Sequence, residues 1–426
     1  MKLKLTILIL LTSLCAQAQN QTFTTAQYRG DFDLFWKSID EDYCYFNKKQ
    51  TNWAKVKDIY SPRVDTISSR AAFVSVLEDA LYEIYDHHAG LNTNNMNSRR
   101  LVPSGTDIWA EYVNGKPTII QTRSGYGAEK AGIAAGMEVI AIDGMPVDKA
   151  MANYVGKSLK TQDNEAKCFA LRLALAGDHL HPRKITLKQN GQVKDYFPDA
   201  NGMQLDNIRF ATRIESKITN GIGYIKINDC LWNNDLIGDF DSVMQLMNTT
   251  KSLIIDLRET PSGGNTTVAR AILGWFTSKE QFYQKHELYA EEKQTGIKRS
   301  WVEIVSPRPG KYYSKPLVIL ADHFTGSIAE GITIGFSATT KAKIIGTPLA
   351  RLCGATYPYE LPNTHIHYSF PVERLYHVNG TPREEFVPDI VIDYTKIPVA
   401  DRDVALDTAM DVLQQNTKPI HMLYQD

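Results

Sequence analysis

Beyond its first twenty residues the chain has no apolar run long enough to cross a bilayer as a helix, which takes about 20 such residues. It also lacks any dense block of lysine and arginine; 47 basic and 48 acidic residues leave a net charge of −1. This balance excludes the basic footprint of a nucleic-acid binder and any strong attraction to a membrane surface. Cysteine is scarce, with five residues in 426 and no CxxC pair, which excludes zinc knuckles and thioredoxin-type redox motifs. No HExxH helix occurs, and no cofactor is implied.

The first twenty residues are the exception. "MKLKLTILILLTSLCAQAQ" carries two lysines, an apolar core and then Ala16-Gln17-Ala18. That is the layout of a cleaved export leader, residues 1–18, and predicts a periplasmic or extracellular protein. Leu14 before Cys15 is too bulky for lipoprotein processing. The chain as a whole is 43% hydrophobic and 22% charged, enough apolar material for several packed cores.

Three segments succeed one another. Residues 22–100 read as helical: in "SSRAAFVSVLEDALYEIYDHHAG", Phe73, Leu77, Leu81 and Ile84 recur at helical spacing. Ser68 or Ser69 can cap that helix and Gly90 can end it, and a helix so long carries His88 on its inner face. Residues 101–200 alternate short apolar runs with turns, and Asn114-Gly115 and Asn190-Gly191 predict hairpins. Residues 205–396 alternate strand and helix, from "GIGYIKI" and "SLIIDL" to "PLVILA" and "KAKIIG", which predicts a parallel sheet with right-handed crossovers. Within it, the polar stretch 278–315 reads as a flap or hairpin, and 400–426 as a closing helix and tail.

Ligands of such sheets gather at the carboxyl ends of the strands. Two glycine-rich turns fall there, "RETPSGGN" and "FTGS". Ser327 ends the second, where a strand gives way to a helix. On these residues alone it reads as an N-cap more readily than as a nucleophile, because caps are far commoner. A nucleophilic serine needs a base and an oxyanion site. The first amides of a helix are unpaired, so Ile328 can donate to an oxyanion, and Gly263 or Gly264 can converge from the neighbouring turn.

The motifs resolve that choice. "LIIDLRETPSGGN" resembles the "DLRgNpGG" signature of the C-terminal processing and tricorn-type serine peptidases, and "LADHFTGSIAEG" is similar to their nucleophile segment. The resemblance extends through "WKSIDEDYCYF", "LYEIYDHHAGL" and "NGTPREEFVPDIVI", in the right order along the chain. The middle segment resembles a PDZ domain, through Ala131-Gly132-Ile133, Gly136, Val139, Ile142 and Gly144, with "SGTDI" (104–108) at the place of the carboxylate-binding loop. The resemblance implies an α/β and α+β multidomain fold: an N-terminal helical segment, a PDZ-like β domain and a ClpP/crotonase-like catalytic α/β domain. It implies a serine endopeptidase acting on polypeptides, with Ser327 as nucleophile. Processing peptidases take a lysine downstream as base, but "TPLARLCGAT" (347–356) has none, and the guanidinium of Arg351 keeps its proton. Arg351 is left a substrate-binding role. The tricorn-type branch uses a histidine, and His88 matches its place. It also uses an orienting glutamate before a "PD" motif, for which Glu384 or Glu385 stands here. A Cys–His enzyme on Cys353 and a zinc site from His87, His88, His365 and His367 are weaker readings, since "THIHYS" alternates like a strand. The rival function is a noncatalytic peptide- or ligand-binding protein on the same scaffold.

Overall fold

The computed structural model describes residues 23–200, 205, 208–397 and 402–415; the leader expected at 1–18 and the tail after Gln415 lie outside them. Helices Thr25–Asp42, Trp53–Val64 and Arg70–Tyr82 open the described chain. Each starts on a residue whose side chain accepts from the first turn: Thr24, Asn52 and Ser69. Such caps satisfy otherwise orphaned amides and are worth about 1 kcal/mol each. Phe32, Phe35, Ile39, Phe73 and Leu77 are almost wholly buried, and they share one core with Tyr368 and Phe370 of the long strand His367–Tyr376. The helical segment is thus built into the C-terminal half, and Gly90–Leu91 pairs antiparallel with that same strand.

The third helix stops at Tyr82, well short of Gly90. Tyr85 has φ 37°, a left-handed conformation that no helix continues through. The buried Glu83 carboxylate ties the helix end to the amides of Lys157 (3.0 Å) and Ser158 (2.8 Å). His88 therefore sits in a turn beyond the helix, correcting the expectation of a helix running to Gly90.

The middle segment holds an antiparallel sheet. Ile108–Val113 and Lys116–Thr122 form one hairpin, Ile185–Gln189 and Gln192–Tyr196 another, with Glu138–Ile142 between them. Both turns have the Asn-Gly residues at positive φ, as a two-residue hairpin loop demands. Helix Asn164–Ala176 lays Ala170, Leu171 and Ala174 against Ile108 and Ala110.

In the C-terminal segment the strands run in the order Ile390–Val391, Lys343–Gly346, Leu317–Ala321, Ser252–Asp256, Ile222–Ile227 and Ile214–Thr219. All neighbours are parallel except the last pair. That pair is joined through Asn220-Gly221, a hairpin signal the sequence reading passed over. Both central strands are buried along their whole length, as a sheet covered on both faces requires. Ile255 and Ile319 face helices Leu236–Met247, Thr266–Leu273 and Ile328–Thr339. Ile254 and Val318 face the closing helix Val404–Gln415. The stretch 278–315 supplies strands Gln281–Leu288 and Ser300–Val305 to a second sheet, centred on His367–Tyr376. Among the described residues no helix is long and apolar enough to cross a membrane.

Candidate active site

Strands Ser252–Asp256 and Leu317–Ala321 pair in register, so the turns that come after them leave the same edge of the sheet side by side. The two turns interlock. Thr260 bridges Thr325, and the amide of Gly326 donates to the Thr260 carbonyl at 3.2 Å. A Cβ on Gly326 would stand 2.5 Å from the Pro261 oxygen, and one on Gly263 (φ 70°) would stand 2.4 Å from Cβ of Ser327. Only glycine allows this approach.

Ser327 ends its turn at φ 54°, ψ −115°. A non-glycine residue held there costs about 1–3 kcal/mol, which the surrounding contacts must offset. Its amide donates to Glu330 Oε2 at 2.9 Å, one turn into helix Ile328–Thr339. Its carbonyl accepts from Arg383 at 3.2 Å. Its hydroxyl lies 3.0 Å from Nε2 of His88, across 239 residues of chain.

The other ring nitrogen of His88, Nδ1, is 2.7 Å from the carbonyl oxygen of Cys353. A carbonyl can only accept, so Nδ1 carries the proton and the neutral ring turns its Nε2 lone pair to the serine hydroxyl. Burial, and then the Arg383 charge, push the His88 pKa down to about 4, so the ring is neutral near pH 7. The His88 amide donates to Asp86 Oδ1 at 2.9 Å, and Asp86 Oδ2 accepts from Tyr43 at 2.8 Å, which sets the turn. A neutral imidazole pointed at a hydroxyl on a strained turn can take its proton as the oxygen attacks a carbonyl.

Ile328, the first residue of its helix, offers an orphan amide beside Ser327. Gly264 lines the same cleft as Ser327 and His88, a cavity of about 470 Å³ that also includes Trp232, Pro261 and Leu352. Three expected participants lie elsewhere. Glu384 and Glu385 both accept from Lys48 at 2.9 Å, and the hydrogen bond that orients His88 goes to a backbone carbonyl instead. Arg351 is exposed and does not line the cleft; its charge is felt by Arg172, Glu111 and His323 on the far side of the turn. Cys353 serves through its main chain, while burial holds its thiol pKa well up and keeps the sulfur protonated. His365 has φ 51° and precedes strand His367–Tyr376, yet the alternation expected of "THIHYS" holds in its burial, with His365 and His367 exposed and Thr364, Ile366 and Tyr368 buried.

Arg383 escaped the sequence reading. It is buried, reaches the carbonyls of Leu352 (3.0 Å) and Gly354 (2.7 Å), and lies 3.8 Å from Glu330. One guanidinium thus fastens both the serine turn and the loop that holds the His88 ring. Its one signal was a basic residue ahead of "EEFVPD" in a stretch without periodicity.

The middle segment grips both turns. Arg123 meets Glu259 through two bonds, at 2.9 and 3.2 Å, and Tyr126 donates to the same carboxylate at 2.9 Å. Gln121 donates to Asp322 at 2.6 Å, and Trp109 stacks on His323 with ring centres 4.7 Å apart.

A serine–imidazole pair at the carboxyl edge of a parallel sheet, beside the orphan amide of a helix start, is the arrangement of an acyl-transfer hydrolase, and the chain falls in the class of serine-type peptidases. Residues 221–392 match the family model of Peptidase family S41, and residues 24–82 match that of the tricorn protease C1 domain. The resemblance read from the motifs holds. Ser327 lies inside the first of these segments, and His88 lies between the two. Among solved structures, the chain is similar to mature CPAF complexed with lactacystin, at TM-score 0.59 and 16% identity, over 92% of this chain and 97% of that one. It is also similar to the photosystem II D1 C-terminal processing protease, at TM-score 0.55 and 15% identity, over 91% and 97%. At such identities the likeness establishes the fold.

Proposed function

We propose that the chain is an exported serine endopeptidase that hydrolyses polypeptides by Ser–His acyl transfer. Ser327 Oγ attacks the scissile carbonyl while His88 Nε2 takes its proton. The amides of Ile328 and Gly264 stabilise the oxyanion, each worth about 3 kcal/mol in the transition state, while that of Gly263 donates to the Thr260 carbonyl at 3.5 Å. His88 then returns the proton to the leaving amine, and water repeats the sequence in reverse to free the acyl group. The observation that carries this reading is the 3.0 Å approach of Nε2 to the hydroxyl, in the one tautomer that can accept. The PDZ-like pattern at 131–144, on a segment that touches both site turns, supports a role for that segment in recruiting or gating polypeptide. Export rests on the layout of residues 1–18, and predicts a secreted form whose intact mass begins at Gln19.

A fluorophosphonate probe tests the chemistry. Wild type should label and Ser327→Ala should not, while His88→Ala should slow labelling and the hydrolysis of unfolded protein by about a hundredfold or more. Equal labelling of wild type and Ser327→Ala would refute the assignment.

A further inference from the structure

The turn that presents His88 has a buried cation against it. Lys49, its side chain 2% exposed, donates to the Tyr85 carbonyl at 3.3 Å and to Glu165 Oε1. Its ammonium also stands 4.5 Å from the centre of the Tyr85 ring. A charge drawn so far out of water persists only with such partners. Tyr85 is the residue at φ 37°, and Asp86, next to it, holds the His88 amide. A change of angle at Tyr85 is therefore passed through Asp86 to the imidazole.

The residues after Lys49 bind the same turn. The Gln50 amide donates to the Tyr85 hydroxyl, and Thr51 Oγ1 donates to the Glu83 carbonyl. This stretch is laid in turn against the middle segment. The Asn52 amide donates to the Ser158 carbonyl at 3.2 Å, the Lys160 amide to the Gln50 carbonyl at 2.9 Å, and Thr51 bridges Leu159. Helix Asn164–Ala176 closes the assembly. Asp163, its cap, accepts from the Tyr85 hydroxyl at 3.1 Å, and Phe169 stacks on His87 with ring centres 4.4 Å apart. Between these contacts lies Glu165, so one ammonium reaches both the turn and the helix.

We propose that Lys49 is a positioning residue for acyl transfer: its ammonium fixes the turn at Tyr85 and fastens it to helix Asn164–Ala176, which keeps His88 Nε2 within reach of the Ser327 hydroxyl. This rests on the peptidase reading of Ser327 and His88. A catalytic group misplaced by about 1 Å can cost about a hundredfold in rate without loss of substrate binding. The test follows fluorophosphonate labelling of the full-length protein over a range of probe concentrations, which separates the limiting rate from the half-saturating concentration. Lys49→Met should lower the limiting rate at least about tenfold and change the half-saturating concentration by less than about threefold. Labelling should still run to one probe per chain, which tells a misplaced base from an unfolded fraction. The acid limb of the rate should move less than it does in Arg383→Gln, because burial and Arg383 are what hold the His88 pKa down. Lys49→Arg keeps the charge and the donors and should recover most of the limiting rate. Glu165 is 55% exposed, so Glu165→Gln spares the core; alone it should slow labelling about threefold. In the Lys49→Met background it should add nothing, since both changes cut one link. A smaller loss in Lys49→Met, no recovery in Lys49→Arg, or additive effects of the two substitutions would overturn the proposal. Should Lys49→Met not fold, Glu165→Gln decides, and a rate equal to wild type would overturn it. Labelling that survives Ser327→Ala would instead count against the peptidase reading itself.

Discussion

An imidazole whose pKa is held near 4 makes a distinct demand on the pH profile. The base must be neutral to act, so kcat/KM should fall on the acid side with the pKa of the free enzyme's histidine. An ordinary histidine, near 6.5, is only about 3% neutral at pH 5, whereas one near 4 is about 90% neutral. At pH 5 the two cases differ roughly thirtyfold in competent enzyme. The initial rate of fluorophosphonate labelling, at probe concentrations well below saturation, reads this directly, with circular dichroism to establish that the protein stays folded. The acid limb should lie between pH 4 and 5. Arg383→Gln removes the second-largest cause of the depression and leaves the largest, burial, in place. The limb should then move upward without reaching 6.5, whatever happens to its height, because position and amplitude are read independently. A wild-type limb at 6.5, or a limb indifferent to Arg383→Gln, would refute the account of how the ring is kept neutral.

The same contacts carry other expected outcomes. Gly263→Ala forces a methyl into Cβ of Ser327 at a backbone angle suited to glycine, and labelling should drop by about a hundredfold or more, the scale of losing an oxyanion donor. Arg123→Met strands the buried Glu259 carboxylate; removing one partner of such a pair costs about 3–5 kcal/mol, visible as a lower denaturation midpoint in urea. Burial raises the Glu330 pKa to about 7, above the 4.5 of an unfolded glutamate. Its contribution is therefore full below pH 4.5 and lost as pH rises through 7, so Glu330→Gln should flatten the stability profile across that window. Glu330→Ala should instead slow labelling, by leaving the Ser327 amide without its acceptor.

The parallel sheet was legible because buried strands and glycine-rich turns leave strong local signals, and the register of Ser252–Asp256 with Leu317–Ala321 then brings "PSGG" to "FTGS". His88 was legible as a candidate for a partly wrong reason. The helical stripe that pointed to it ends at Tyr82, and it is the turn after the helix that delivers the ring. The acidic orienter was sought among side chains because side chains are what letters show. The group that fills the place is a main-chain oxygen, which any residue at 353 would supply. Arg383 was missed for a related reason: its partners are carbonyls of Ser327, Leu352 and Gly354, and none of these contacts leaves a mark in composition or spacing.

Fixing the imidazole through the peptide group of Cys353 has a consequence for how this centre can change. Truncating the side chain at 353 deletes no group that bonds to the ring, so the setting of its proton rests on the path of the main chain, which Arg383 holds at Leu352 and Gly354. It is vulnerable to shape. Arg351 and Gly354, on either side, hold left-handed angles of 57° and 51°, and a shift in that short loop would turn the oxygen away and release the ring with no residue altered. Variation and regulation alike would then reach the chemistry by bending the backbone between those two residues.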